Sequence, residues 1–145
     1  MTPVTHVLVV ANRTAATPAL LAAVRARAES SPCRFHLVVP ATPKGLHRLV
    51  DPEDSGKDVA AQNLELALPM LSDAAGTPVE GHVGDGSPLS AIEDAVHQQP
   101  VDEILISTLP ARVSRWLHID LVSKARALGL PVDHVEASSP VTAPA

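Results

Sequence analysis

The stretch His6-Val7-Leu8-Val9-Val10-Ala11 decides how this chain is read. After the histidine every side chain is aliphatic, and no polar residue alternates with an apolar one. Such a run is a strand buried on both faces, the signature of a parallel sheet covered by helices. Asn12-Arg13-Thr14 follows as a loop. Thr17-Pro18 then offers a hydroxyl cap and a proline at the first helical position, and Leu20, Leu21, Val24 and Ala28 hold helical spacing to about Ser30.

Moving outward, the same alternation recurs. Phe35 to Val39 reads as a second strand stopped by Pro40. The polar stretch from Pro40 to Lys57 reads as an exposed, irregular connection with one short turn near Gly45 to Val50. Its length marks it as a functional or mobile loop. Ser55-x-x-Asp58 has the form of a capping box. It opens a helix with Val59, Leu64, Leu68 and Leu71 available for the core and a kink expected at Pro69. Gly76 ends that helix, and Val79 to Val83 is the third strand. Gly84-Asp85-Gly86 is a turn, and Ser87-Pro88 repeats the cap-plus-proline device before a helix from Leu89 to Gln98, with Leu89, Ile92 and Val96 on one face.

Glu103 to Thr108 is the fourth strand, and Leu109 to Val113 is a loop. Ser114 caps a helix expected to reach about Leu128, with Leu117, Leu121, Ala125 and Leu128 along one stripe. Gly129 is its left-handed end, and Val132 to Val135 is the fifth strand. Gly76-Thr77-Pro78-Val79 and Gly129-Leu130-Pro131-Val132 repeat one helix-stop-then-strand device, with proline where its missing donor costs little. Residues 1–136 read as one domain, and 137–145, short of core-forming side chains, as a disordered tail.

The fold class is therefore α/β: a single domain with a five-stranded parallel sheet, helices on both faces and right-handed crossovers. Ligands of such sheets bind beyond the C-terminal ends of the strands, where strand order reverses. That rule nominates Asn12 to Ala15, Pro40 to Pro43 with Val39 just before it, Gly84 to Ser87, and Ser107 to Arg115.

Composition narrows the function classes. Of 145 residues, 46% are hydrophobic, but Phe35 and Trp116 are the only aromatic side chains besides histidine. Few stacking platforms and a formal net charge of -5, with no basic cluster, argue against nucleic acid. Cys33 is the sole cysteine; it allows no intrachain disulfide and reads as a small buried hydrophobe. With no signal-peptide pattern and no long apolar segment, the expected location is the cytoplasm.

From the third strand onward the text resembles the universal stress protein family. The resemblance rests on Gly84-Asp85-Gly86-Ser87-Pro88, Val101-Asp102-Glu103-Ile104-Leu105-Ile106, Ser114-Arg115-Trp116-Leu117, Lys124 and Pro131-Val132. It implies an adenine nucleotide alpha hydrolase-like fold of the universal stress protein type, a regulatory or stress-response role without catalysis, and a homodimer formed through the last strand, here Val132, Asp133, His134, Val135 and Glu136. The family's nucleotide binders carry Gly-x2-Gly-x9-Gly-[Ser/Thr] after the fourth strand, where amides approach phosphates. Here Ser107-Thr108-Leu109-Pro110 and Ile119-Asp120 stand in those places, and Asn12 stands where those members have an aspartate. The chain is similar to a divergent branch with this S-T-L-P…S-R-W-L text. ATP or another adenine nucleotide is a candidate ligand that the missing glycines disfavour.

The candidate ligand-binding residues are Asn12, Arg13, Thr14, Val39, Gly84, Asp85, Gly86, Ser107, Thr108, Arg112, Ser114 and Arg115. Arg112, Arg115 and a capped helix start suit anion capture; the simpler reading is a soluble loop with an ordinary cap. The glycines of Gly84-Asp85-Gly86 suit either backbone approach to a ligand or a tight turn. His6, His36, His82 and His134 fall on strands without metal-ligand spacing, so hydrogen-bonded structural histidine is the reading and no metal is expected. A small nucleotide hydrolase or transferase is the second possibility, with Asp85, His118 and Asp120 as its only candidate acids and bases. A ligand-free dimeric interaction module is the third, and it requires Leu109, Val113 and Trp116 to fill the crevice.

Overall fold

The computed structural model describes residues 4–41, 55–111 and 114–137. Strand β1 (Thr5–Val10) leads through a tight turn into helix α1 (Pro18–Ser30), then strand β2 (Cys33–Pro40). Helix α2 (Ser55–Ala75), strand β3 (Glu80–Gly84), helix α3 (Pro88–Gln98) and strand β4 (Glu103–Thr108) follow. Two short helices, α4 (Arg115–His118) and α5 (Leu121–Arg126), precede strand β5 (Val132–Glu136). All neighbouring strands pair in parallel, in the order β3-β2-β1-β4-β5. The chain builds outward from β1 to β3, then crosses back to place β4 on the other side. The reversal point lies between β1 and β4, where Val10 sits opposite Ile106.

Period-two alternation divides the strands between two cores. Val7, Val9, Leu37, Val39 and Leu105 face α1 and α2. Leu8, Val10, Val38, Ile104 and Ile106 face α3 and α5. Both faces of the central strands are dry, which accounts for a run such as Val7 to Ala11 having no polar position. The sheet holds its layers with aliphatic side chains, Phe35 being the one aromatic residue of the buried set.

Several boundaries differ from the sequence expectation. β2 runs on through Pro40, whose missing amide costs nothing at the last residue of a strand, and β3 shifts by one residue to end at Gly84, its partner. A methyl group on Gly84 would lie 2.8 Å from the Ala91 Cβ and from a Val38 methyl. Gly84 therefore serves the close packing of α3 on the sheet. Val59 is 43% exposed, and α2 buries Ala60, Ala67, Leu71 and Ala74 instead, with Leu64 and Leu68 half-buried. Small residues let α2 lie close against α1 and the β2–β3 edge. The helix continues as one element past Pro69.

The single long helix expected from Ser114 to Leu128 is broken in two. Asp120 adopts a left-handed backbone, φ 59° and ψ 43°, between α4 and α5. Asparagine and aspartate bear that conformation at lower cost than other side chains with a Cβ. The break keeps Leu117 against the α3 face while Leu121, Val122 and Ala125 are buried there. Leu128 is 37% exposed rather than part of the stripe. Its amide and that of Gly129 bond three residues back, to Ala125 and Arg126, which tightens the helix end and turns the side chain outward. Gly76 (φ +76°) and Gly129 (φ +93°) both end helices in the left-handed region, as the repeated Gly-x-Pro-Val device requires.

The Pro40–Lys57 connection lies mostly outside the described residues, as do Arg112, Val113 and the tail beyond 137. Ala137 is buried, and its amide donates to the Thr108 carbonyl at 2.8 Å; this residue belongs to the fold and not to a tail. Among the described residues no helix is long and apolar enough to cross a membrane.

Candidate crevice at the C-terminal end of the sheet

Where β1 and β4 diverge, their following loops frame a cavity of about 300 Å³. Its polar walls come from Asn12, Arg13 and Thr14 after β1, and from Ser107, Thr108, Ser114 and Arg115 around the end of β4. Its apolar walls are Pro40, Ala41, Pro88, Leu109, Trp116 and Ile119, with Gly86 completing the rim. The volume lies at the lower end of the range for small-molecule sites, and the mixture of apolar walls with a few polar groups is typical of them.

Short-range bonds build the β1 side. The Ala15 amide donates to the Asn12 carbonyl and the Thr17 amide to the Thr14 carbonyl. Thr17 adds its hydroxyl to the same Thr14 carbonyl at 2.8 Å and makes no side-chain cap on α1. The expected Thr17 cap is thus replaced by a turn that winds the loop inward. Thr14 is only 2% exposed, and its Oγ1 lies 2.6 Å from Ser107 Oγ, itself 1% exposed. Of the two hydroxyl protons, one makes this bond and the other remains to donate. Asn12 donates Nδ2 to the Pro40 carbonyl at 2.8 Å and accepts from Asn63 Nδ2 at 2.6 Å. Its amide plane is fixed by β2 and α2 together.

On the β4 side, Thr108 Oγ1 lies 2.8 Å from His134 Nε2 on β5. Ser114 Oγ accepts from the Leu117 amide at 3.1 Å, so its hydroxyl caps α4 as the sequence suggested. The Glu136 carboxylate accepts from the Ala111 amide at 2.7 Å and ties the loop after β4 to the last strand.

Charge distribution sets the crevice apart. The chain carries a formal charge of -5, yet among the described residues that line the cavity the charged ones are Arg13 and Arg115. Both are exposed, and neither guanidinium has a hydrogen bond or ion pair among the described residues. Low-dielectric walls around two like charges concentrate their field in the opening.

Placement of the remaining candidates is mixed. Val39 is fully buried in the core under α1 and α2 and does not line the cavity. Gly84 and Asp85 also stay outside the lining. The Asp85 carboxylate accepts from the Ser87 amide at 2.8 Å, and Ser87 caps α3 by accepting from the Ser90 amide. This makes Gly84 to Ser87 chiefly a turn and a cap, with Gly86 alone reaching the rim. Arg112 lies outside the described residues. The candidate acids and bases of a hydrolase, Asp85, His118 and Asp120, are exposed and outside the lining. Leu109 and Trp116 line the cavity, and Val113, the third residue that would fill it, lies outside the described residues. Ile119 and Pro88 were not anticipated as lining residues; the break at Asp120, next to Ile119, carries no local sequence signal. Among the described residues no three metal-ligating side chains come together.

His36 and His82 pair elsewhere, across β2 and β3, with Nε2 and Nδ1 2.7 Å apart. Burial, then the neighbouring His82, pushes the His36 pKa below the usual histidine range, against the opposing pull of Glu80. Structural histidine is the outcome at this pair.

No protein-family model and no curated protein matches this sequence. Solved structures do match, over nearly the whole chain. A universal stress protein from Archaeoglobus fulgidus superposes with a TM-score of 0.63 at 18% identity, covering 90% of this chain and 93% of that one. A universal stress protein family protein from Arabidopsis thaliana with AMP bound gives a TM-score of 0.58 at 16% identity, covering 93% of each chain. A universal stress protein in complex with cAMP gives 0.55 at 14% identity, covering 94% of this chain and 99% of that one. The chain has the universal stress protein fold: one domain, five parallel strands, helices on both faces.

Proposed function

We propose that this chain is a regulatory, universal-stress-protein-like domain that binds a small adenine nucleotide, without catalysis, in the crevice between β1 and β4. The observation that carries this reading is the pair of arginines, Arg13 and Arg115, that line an otherwise uncharged cavity and have no partner among the described residues. An apolar wall of Pro40, Ala41, Leu109, Trp116 and Ile119 suits a base, and the arginines suit one phosphate group. Fold neighbours bound to AMP and cAMP support the class of ligand.

A triphosphate suits the site less well. Where a glycine-rich loop would present amides to phosphates, Ile119 stands as a wall of the cavity and the acidic Asp120 follows it in the chain. The reading is therefore a nucleoside monophosphate or cyclic monophosphate in preference to ATP. A thermal-shift comparison of AMP, cAMP and ATP tests it. AMP and cAMP should raise the melting midpoint by mass action, ATP should do so less, and none should be hydrolysed. A flat response to all three removes the proposal.

The dimer implied by the last strand belongs to the same reading. Among the described residues β5 is an edge of the sheet with one side unpaired, a surface that demands cover. Sedimentation should give twice the chain mass; a monomer at high micromolar concentration would remove the dimer and leave the binding site unaffected.

A further inference from the structure

The Thr108–His134 bond joins the cavity to a group that ordinarily changes charge between about pH 5 and pH 8. Thr108 is 2% exposed and lines the cavity, whereas His134 sits half-buried one strand away and does not. The two atoms are 2.8 Å apart, and which one donates depends on the state of the imidazole. A threonine hydroxyl has one proton and two lone pairs. When Nε2 is unprotonated, Thr108 must donate to it, and only oxygen lone pairs remain for anything in the cavity. When the ring is cationic, Nε2–H donates to Oγ1, and the hydroxyl proton is released to bond elsewhere.

We infer that His134 is a positioning residue which, through Thr108, makes anion binding in the crevice stronger as pH falls. This rests on the proposed nucleotide-binding function and adds a control to the same site. Protonation acts twice in one direction: it frees a donor for a phosphate oxygen and adds a cation to the two arginines. A neutral ligand gains far less from either change.

The surroundings of His134 bear on the switch. On its own strand Glu136 shares its face, with its carboxylate held by the Ala111 amide. Asp133 lies on the opposite face, where it acts on Arg27 of α1. β4 contributes no charge beside it, since Ile106 is its register partner. α5, packed on β5, carries Lys124 and Arg126, the latter donating to the Val132 carbonyl. Arg115 and His118 lie on α4.

The test uses cAMP, a phosphodiester whose single negative charge is constant over this range, with adenosine as the neutral counterpart. Calorimetry at about pH 8 and about pH 5.5 should show cAMP binding tighten by roughly fivefold or more, a typical coupling between sites, while adenosine changes little. His134→Gln, whose amide can donate at any pH, should remove the dependence, as should Thr108→Val. Thr108→Ser should retain it. The imidazole 15N signals of the unaltered protein should show Nε2 accepting at the higher pH and protonated at the lower. A dependence that survives in His134→Gln, or an Nε2–H present at both pH values, overturns the inference. If cAMP binds at neither pH, the nucleotide proposal falls, and the 15N signals still decide whether the bond reverses.

Discussion

The two ends of the sheet solve opposite problems. At the N-terminal end, charges are matched to one another. Arg27 grips Glu103 with two hydrogen bonds of 2.6 and 3.0 Å, and Asp102 accepts the His6 amide at 2.8 Å. A cavity of about 220 Å³ there is lined by both signs, Arg34 and Glu80, together with His6 and His36. At the C-terminal end the cavity-lining charges are of one sign and are left unmatched among the described residues. Its buried hydroxyls are bonded to each other, to a histidine or, for Ser114, to a helix amide. The difference separates an end where opposite charges meet from one where, among the described residues, like charges face a concave opening, which focuses their field.

Removing the receptive charges should break this contrast most visibly. The double variant Arg13→Ala/Arg115→Ala should weaken cAMP binding by about 100-fold, taking about 1.4 kcal/mol for each charge-assisted contact. Its urea midpoint should barely move, because both side chains are exposed. Unchanged affinity would mean the two ends do not differ in the way described.

Next in size is the hydroxyl pair under the crevice. Thr14→Val leaves Ser107 Oγ buried without its partner, a cost of about 1–3 kcal/mol. Adding Ser107→Ala should recover part of that loss, since two apolar groups of similar shape need no bond. Urea unfolding of the single and double variants measures the difference; strict additivity would show that the bond contributes nothing.

Smaller effects belong to the opposite end. Glu103→Gln should cost about 1 kcal/mol or less, as partly exposed ion pairs generally do, and 1 M salt should shrink the gap between variant and parent. A loss equal to that of Thr14→Val would sink the comparison.

The smallest effect is a pH dependence. The His36 pKa lies below its unfolded value, so the unfolded chain binds the proton more readily. Its contribution to stability is whole above the usual histidine pKa of about 6.5 and is lost as pH falls from there through the lower folded value. His36→Leu should therefore lose less stability than the parent between about pH 7 and about pH 5. Parallel urea midpoints across that range would show that His36 does not contribute.

Much of the fold was legible because its signals are local. HVLVVA and EILIST lack alternation for the same reason: each is dry on both sides. Ser87 and Ser114 cap as their positions before a helix suggested. Thr17, in the same setting before Pro18, does not cap, because its hydroxyl finds the Thr14 carbonyl first. A cap and a turn compete for one oxygen, and the text of the loop does not say which wins. The single helix drawn from Ser114 to Leu128 failed for a related reason. Nothing in Ile119-Asp120 forbids a helix, and the left-handed Asp120 that divides it has no local signal.

The candidate site was legible as an edge and not as a surface. Topology rules place Asn12, Arg13, Thr14, Ser107, Thr108, Ser114 and Arg115 together, and they do line one cavity. The same rules put Val39 and Gly84 near it, but strand alternation buries Val39, and helix packing accounts for Gly84.

By itself, then, the order of residues determined the alternation of strands and helices, the parallel sheet and the edge at which loops gather. Those features follow from hydrophobic period, caps and glycine stops, which act over a few neighbours. Tertiary structure alone decided that Thr14 meets Ser107, that His134 holds Thr108 and that two arginines share one opening. The first of these joins residues 93 positions apart, and such distances depend on packing, which no local pattern encodes.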